Sequence, residues 1–370
     1  MRDHIKKKVK DILLFLDYVF WMVFDLSKFK LIKKDKIKNA LVIHLGAIGE
    51  LLACTPVLKT LKENINCNVD FLAMQGPSII LRDNPNIRKI INYEENFKKN
   101  LENIKNKYDL AIILWPGSLK ISTLCLKAGI PYRVGCFKMI KEGPAFFFTR
   151  RIFPLKFKNK HAVESNAMFL NLIGLNNKDP KMEVFIDKIK MKRVNLVLKK
   201  NGIKDFVIIH PGFGKYGEGK HLSRKWPEER FAKIADYLIE KENLKVIITG
   251  IKDEAQLANN IKYLVKNKRN TIVLAGELDL KELICLLSKA KLLLAPDTSI
   301  IHIASALNIK TIDLMSRSTP TEWGPWQEKK NFRVLFHPKN SKGDPCGDED
   351  QSCILNITLE EVKKAINELI

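Results

Sequence analysis

Leu292–Leu314 reads LLLAPDTSIIHIASALNIKTIDL: an apolar run ends in Pro-Asp-Thr-Ser and opens directly onto an amphipathic helix pattern. Such a run suits a strand buried on both faces, as in a parallel sheet. It delivers Asp297, Thr298 and Ser299 to the start of a helix, where backbone N–H groups lack intrahelical acceptors and the helix dipole favours an anion such as phosphate. Asp297 is the expected cap. Ser, Thr and Asp are also the ordinary capping residues, so a purely structural helix start stands beside the anion site as a reading of this turn alone.

A second stretch repeats the pattern. Ala40–Leu58, ALVIHLGAIGELLACTPVL, is an apolar strand, a turn bearing Gly46 and Gly49, and a helix start. The two glycines permit close backbone approach. A dinucleotide-binding oxidoreductase also places a phosphate turn after its first strand, but the full G-x-G-x-x-G is missing here. Asp70, the nearest acid at the right distance, starts the next strand (VDFLAM), whereas a ribose-binding acid ends it. Glu50, between Ile48 and Leu51, puts a carboxylate in the first turn of the helix, where it either complements the dipole or serves chemistry at the strand's carboxyl end.

Working outward, apolar runs recur with helical patterns between them at residues 40–45, 69–74, 109–114, 206–210, 245–249, 271–275, 291–295 and 310–314. Strands alternating with helices argue for parallel α/β sheets, and the length suits two or three domains. The polar region 176–200 holds no long apolar run. The expected organisation is therefore a basic extension at 1–38, one α/β domain at 39–185 and a second at 186–370.

The turn after residues 206–210, PGFGKYGEGKHLSRKW, gathers Gly212, Gly214, Gly217 and Gly219 with Lys215, Lys220, Arg224 and Lys225. A glycine-rich loop loaded with cations suits a diphosphate, although surface loops of this composition also occur without function. Trp226 and Pro227 then open the next helix, with Glu228 and Glu229 in its first turn.

A formal charge of +23 calls for an acidic partner: nucleic acid, anionic lipid or a phosphorylated substrate. No zinc-finger spacing, RRM signature or KH loop occurs and the lysines are spread along the chain, so nucleic acid is not the expected partner. Residues 12–26, ILLFLDYVFWMVFDL, are too few to span a bilayer and are interrupted by Asp17 and Asp25. On a helical wheel Lys10, Asp11, Asp17, Asp25 and Lys28 share one arc while Phe15, Leu16, Val19, Phe20, Val23 and Phe24 lie elsewhere, the pattern of an interfacial helix. The flanking lysines would each be drawn to anionic lipid by about 1 kcal/mol. The competing reading is a helix lying on the protein's own surface or on a second subunit. Seven cysteines provide no disulfide framework and fit a reducing cytoplasm. Cys346 and Cys353 form a C-x6-C, which is not zinc spacing and reads as structural, and the acids Asp348, Glu349 and Asp350 read as a solvated run.

Four blocks in order carry a resemblance: HLGAIGELLACTPVLKTLK, HPGFGKYGEGKHLSRKWPEERFAKIADYL, VIITGIKDE and APDTSIIHIASALNIKTIDLMSRSTPTEWGPW. The chain resembles glycosyltransferase family nine, the lipopolysaccharide heptosyltransferase family. That resemblance implies a GT-B fold, α/β with two Rossmann-like domains facing a central cleft, and a nucleotide sugar held mainly by the C-terminal domain. It implies an inverting transferase at the inner face of the cytoplasmic membrane, with ADP-heptose as the favoured donor, an anionic glycolipid acceptor, and neither cofactor nor metal. Arg224 matches the basic residue that contacts the donor phosphates, an arginine where lysine is common. Glu50 matches the general base, where the family usually carries aspartate. Asp297 is expected on a sugar or ribose hydroxyl, and Gly46, Gly49, Gly212, Gly214, Lys225, Thr298 and Ser299 around the donor. Ser299 stands where glycine is usual. His302, one turn along the helix, either orients the donor or is a satisfied helix-face histidine.

Overall fold

The computed structural model describes residues 32–115, 117–136, 148–152, 154–214 and 222–370. The chain divides into two compact units, Met1–Met182 and Glu183–Ile370. The division falls in the polar stretch, three residues before the expected 185/186 boundary. The proposed interfacial helix at residues 12–26 lies outside the described residues. The end of the expected extension is tied to the first unit: Ile37 is buried, and Lys34 Nζ donates to the Gly174 carbonyl at 3.2 Å.

In the first unit, β1 (Asn39–Ile43), β2 (Asn68–Ala73), β3 (Lys89–Asn92), β4 (Leu110–Ile113), β5 (Tyr132–Cys136) and β6 (Arg150–Ile152) form one sheet in the order β3-β2-β1-β4-β5-β6. The second unit repeats this with β7 (Phe206–Ile209), β8 (Lys245–Ile248), β9 (Thr271–Val273), β10 (Leu293–Pro296), β11 (Thr311–Met315) and β12 (Phe332–Phe336), ordered β12-β11-β10-β7-β8-β9. Every pairing is parallel. Counted from its own first strand, each sheet has the doubly wound order 3-2-1-4-5-6 of a Rossmann unit.

All eight apolar runs are strands. Leucine, isoleucine and valine supply most of β1, β4 and β7, and β4, β7, β10 and β11 are buried along their whole length because helices cover both faces. The second unit's core gathers Ile209, Phe231, Val246, Leu294, Ile312 and Ile366. The first unit's core centres on Leu41, Ile43, Leu72, Ala111 and Ile113. Four strands were not expected: β3 (KIIN), β5 (YRVGC), β6 (RRI) and β12 (FRVLF). β3, β6 and β12 form sheet edges and carry charges on half-exposed faces, so no continuous apolar run marks them.

Asp70, whose position argued against a ribose-binding acid, is a structural ion-pair residue. It is buried in β2, accepts two hydrogen bonds from Arg88 at 2.9 and 2.8 Å, and takes a third from the Tyr108 hydroxyl at 2.6 Å. Those three donors offset the desolvation that burial imposes on a carboxylate.

Candidate functional site

In a doubly wound sheet the strand order reverses between the first and fourth strands, and the crevice outside their carboxyl ends is the position that binds ligands. In the second unit these neighbours are β7 and β10. β7 runs into His210, Gly212 and Gly214; β10 runs into Asp297, Thr298 and the helix Ser299–Leu307. The sheet thus brings together two stretches about ninety residues apart in the chain.

On the β7 side, Glu254 holds the turn. Its carboxylate accepts the Gly214 N–H at 2.8 Å and the Ile251 N–H at 2.8 Å. A Cβ at position 212 would overlap that carboxylate and displace it from the turn. His210, fully buried, bonds Thr249 Oγ1 through Nδ1 at 2.9 Å. Glu254 was missed among the candidate site residues, although it ends the block VIITGIKDE. Lys215, Gly217, Gly219 and Lys220 of the glycine-rich turn lie outside the described residues.

Arg224 closes the 3₁₀ turn Leu222–Arg224 and is fixed by the tryptophan two places on. Trp226 is buried, donates its indole N–H to the Ile357 carbonyl at 3.0 Å and meets Phe231 edge-to-face at 4.8 Å, a contact worth about 1 kcal/mol beyond its area. Arg224 therefore points inward, its side chain only 14 % exposed, with Nη2 3.9 Å from Asp297 Oδ2. Lys225 is exposed.

Asp297 is not the cap. Thr298 holds that position in extended conformation, φ −142° and ψ 173°, with no side-chain capping bond. The extended residue carries the Asp297 carboxylate away from the helix amides and toward Arg224. Burial raises the Asp297 pKa, while Arg224, Ser318 and Arg317 oppose the rise. Asp297 Oδ2, Thr298 Oγ1, Arg224 Nε, Ser223 Oγ and Ser316 Oγ are all buried without a hydrogen-bond partner. Unpaired buried polar atoms are rare, and these, beside the helix-start amides of Ser299 and its neighbours, are partners that a polar, anionic ligand could take.

His302 sits one turn along that helix, its ring 5.8 Å from Trp323 in an edge-to-face contact. Burial and the nearby positive charge of Arg224 pull its pKa down to about 4, so the ring is neutral at neutral pH. Around the cluster, Arg317 pairs with Asp348, and the Ser223 N–H donates to the Asp348 carbonyl at 3.1 Å. Asp348 thus braces the loop after Cys346 while its side chain stays partly exposed, as a solvated run would have it. Cys346 and Cys353 are joined by a disulfide, which settles that pair as loop closure; the other five cysteines are buried.

The first unit has the corresponding reversal between β1 and β4, where Gly46, Gly49 and Glu50 fall. His44 bridges it: Nε2–H donates to the Trp115 carbonyl at 2.7 Å, and Nδ1 accepts the Gly46 N–H at 3.0 Å. Burial lowers the His44 pKa, with Glu50 opposing. Glu50 turns its carboxylate back over Gly46, where a Cβ would overlap it, and accepts the Ala47 N–H at 2.6 Å. Gly49 is buried in the same short helix, Ile48–Leu52. Among the described residues no helix is long and apolar enough to cross a membrane.

Residues 96–347 match the family model described as glycosyltransferase family 9 (heptosyltransferase). The chain is 24 % identical over 356 residues to lipooligosaccharide heptosyltransferase 2 of Haemophilus influenzae, covering 90 % of this chain and 99 % of that one. It is similar to the solved glycosyl transferase family 9 protein of Veillonella parvula, with a TM-score of 0.77 and 21 % identity over 92 % of this chain and 99 % of that one. It is also similar to Escherichia coli heptosyltransferase WaaC, solved with ADP-2-deoxy-2-fluoro heptose, at a TM-score of 0.66 and 18 % identity over 89 % and 99 % of the two chains. These likenesses establish the GT-B class of two Rossmann-like units.

The displaced pKa of His302 has a measurable consequence. The folded state holds that ring neutral down to about pH 4, whereas the unfolded chain protonates it near 6.5, so stability falls as pH falls between those values. The contribution is at most about 3 kcal/mol. Denaturant midpoints measured across that window will decline less steeply for His302→Gln than for the parent. Equal slopes would show that the ring is not shielded.

Proposed function

The chain belongs to glycosyltransferase family 9, the heptosyltransferase family, and from that membership we propose that it moves a heptose or related sugar from a nucleotide diphosphate onto a lipopolysaccharide core acceptor, with inversion and without a metal. ADP-heptose is the donor we favour, supported by the ADP-heptose analogue bound in the WaaC structure. The observation that carries the reading is the recess of Arg224, Asp297 and Thr298 at the β7–β10 reversal, where buried polar atoms stand unpaired beside a helix start.

Breaking a sugar–phosphate bond leaves negative charge on the departing diphosphate. Arg224, with its planar fork, and the first-turn amides from Ser299 onward offer positive charge fixed before reaction, which is the most effective way to stabilise a charged transition state. They supply what a divalent cation would otherwise supply. Asp297 suits sugar or ribose hydroxyls as a hydrogen-bond acceptor. Gly212 and Gly214 let backbone approach the nucleotide, Lys225 adds long-range attraction, and the neutral His302 ring borders the donor.

An attacking hydroxyl must also lose a proton, and Glu50 is the carboxylate we assign to it. Its bond to Ala47 N–H occupies one oxygen, so a base role requires that the other accept the substrate proton. This engagement favours one competing reading, a nucleotide-sugar-binding protein without turnover. The acceptor is assigned as an anionic glycolipid on the strength of the +23 charge, with residues 1–38 holding the protein at the inner face of the cytoplasmic membrane and no nucleic acid as partner.

Titration calorimetry with ADP, UDP, GDP and CDP tests the donor site. We expect selective ADP binding that weakens by about tenfold or more in Arg224→Ala and Asp297→Ala, the scale of a lost charge-assisted contact. Absence of binding by any nucleoside diphosphate would contradict the assignment. In a turnover assay, Glu50→Gln is expected to lower kcat by about a hundredfold or more with donor affinity unchanged; unaltered kcat would remove Glu50 as the base.

A further inference from the structure

One ionisable group beneath the recess has no role in the reaction described above. Asp313 stands in the middle of β11, opposite Ala295 of β10. Its strand neighbours Ile312 and Leu314 enter the hydrophobic core, so alternation sends Asp313 to the other face of the sheet, the face onto which the end of β10 delivers Asp297. It is 0 % exposed, and neither carboxylate oxygen has a hydrogen-bond partner. An ionised carboxylate without water or donors carries a penalty of several kcal/mol.

The surrounding charges leave this group over. Asp297, from the end of β10, and Arg224, from the 3₁₀ turn, act on it electrostatically. Asp297 and Arg224 form one loose pair. Arg317, following β11, and Asp348, in the disulfide-closed loop, form a second pair facing Arg224. His302, on the helix Ser299–Leu307, is neutral. Burial lifts the Asp313 pKa well above the carboxylate range and the charge of Asp297 adds to the rise, with Arg224 opposing. Asp297 is the member of the acid pair that stays ionised, since it is the one within 3.9 Å of the guanidinium. A diphosphate would bring further negative charge into this cluster, which an ionised Asp313 would resist.

We propose that Asp313 works as a neutral acid beneath the donor recess and that the nucleotide sugar binds with this carboxyl protonated. The inference rests on the donor-site reading above. Asp313 is then a positioning residue: its proton relieves like-charge repulsion on Asp297 and leaves that carboxylate, with Arg224, free to meet the ligand.

Infrared spectroscopy of the full chain bound to ADP-heptose at neutral pH, with the free protein recorded beside it, tests this. The expected result is the carbonyl stretch of a protonated carboxylic acid, sensitive to deuterium exchange, that Asp313→Asn abolishes. Asp313→Asn, permanently uncharged, is expected to bind ADP-heptose within about threefold of the parent at neutral pH and to show no loss of affinity at alkaline pH. The parent loses up to about tenfold per pH unit once the solution passes the Asp313 pKa of the free protein. A parent spectrum with no protonated carboxyl overturns the proposal even if the variant does not fold. So does a folded Asp313→Asn that keeps the band, or that binds more than about tenfold more weakly at all pH values. If ADP-heptose does not bind the parent at all, the donor-site reading fails with the inference, and the spectrum of the free protein still reports separately whether the buried acid carries a proton.

Discussion

The pairing of β10 with β7, Leu293 beside Ile208 and Leu294 beside Ile209, is the constraint on which the C-terminal unit depends. These strands lie far apart in the chain and adjacent in the sheet because the connections run outward from β7 in one direction and from β10 in the other. Right-handed crossovers then place the flanking helices on opposite faces, with the carboxyl ends of the two strands side by side at the reversal. The turn after β7 and the helix start after β10 meet at one place as a geometric result. Trp226 completes it from a third segment, since its buried ring and its bond to Ile357 fix the backbone from which Arg224 reaches Asp297.

The recess is electrostatically expensive. Arg224, Asp297 and Asp313 lie in low dielectric with few of the hydrogen bonds that usually accompany buried charge, in contrast to Asp70, which is buried to a similar degree but fully engaged by Arg88 and Tyr108. The difference separates Asp70 from the acids we assign to the donor site. Continuous apolar strands and a well-packed core carry the cost of the unpaired groups, and fixed donors that need no reorganisation are what a developing negative charge requires. Glu50 falls between these cases, with one oxygen on the amide of Ala47.

Sequence pattern revealed the fold where one physical force dominated. The strands buried along their whole length are short apolar runs, broken only by Asp313 in β11, and were legible; β3, β6 and β12, half exposed and charged, carry too weak a pattern to stand out. Arg224 and the Asp297–Ser299 turn were legible because motif and helix start coincided. The capping role given to Asp297 failed because preference identifies which residues can cap, whereas one extended residue, Thr298, decided which does. Glu254 was hidden because its partners, Gly212 and Gly214, are forty residues away. Asp313 carried a usable signal, a lone acid inside the apolar run TIDLM, whose meaning depends on the neighbouring strand that brings Asp297 to the same face.

Hydrogen–deuterium exchange with and without ADP tests most directly whether the reversal point of the second sheet is the donor site. The account predicts slower exchange confined to residues 210–214, 222–226 and 297–302, strongest at the first-turn amides of the helix Ser299–Leu307, because a bound diphosphate would give those N–H groups the acceptors they lack. Protection restricted to the first unit, or no change in those three segments at saturating ADP, would contradict it.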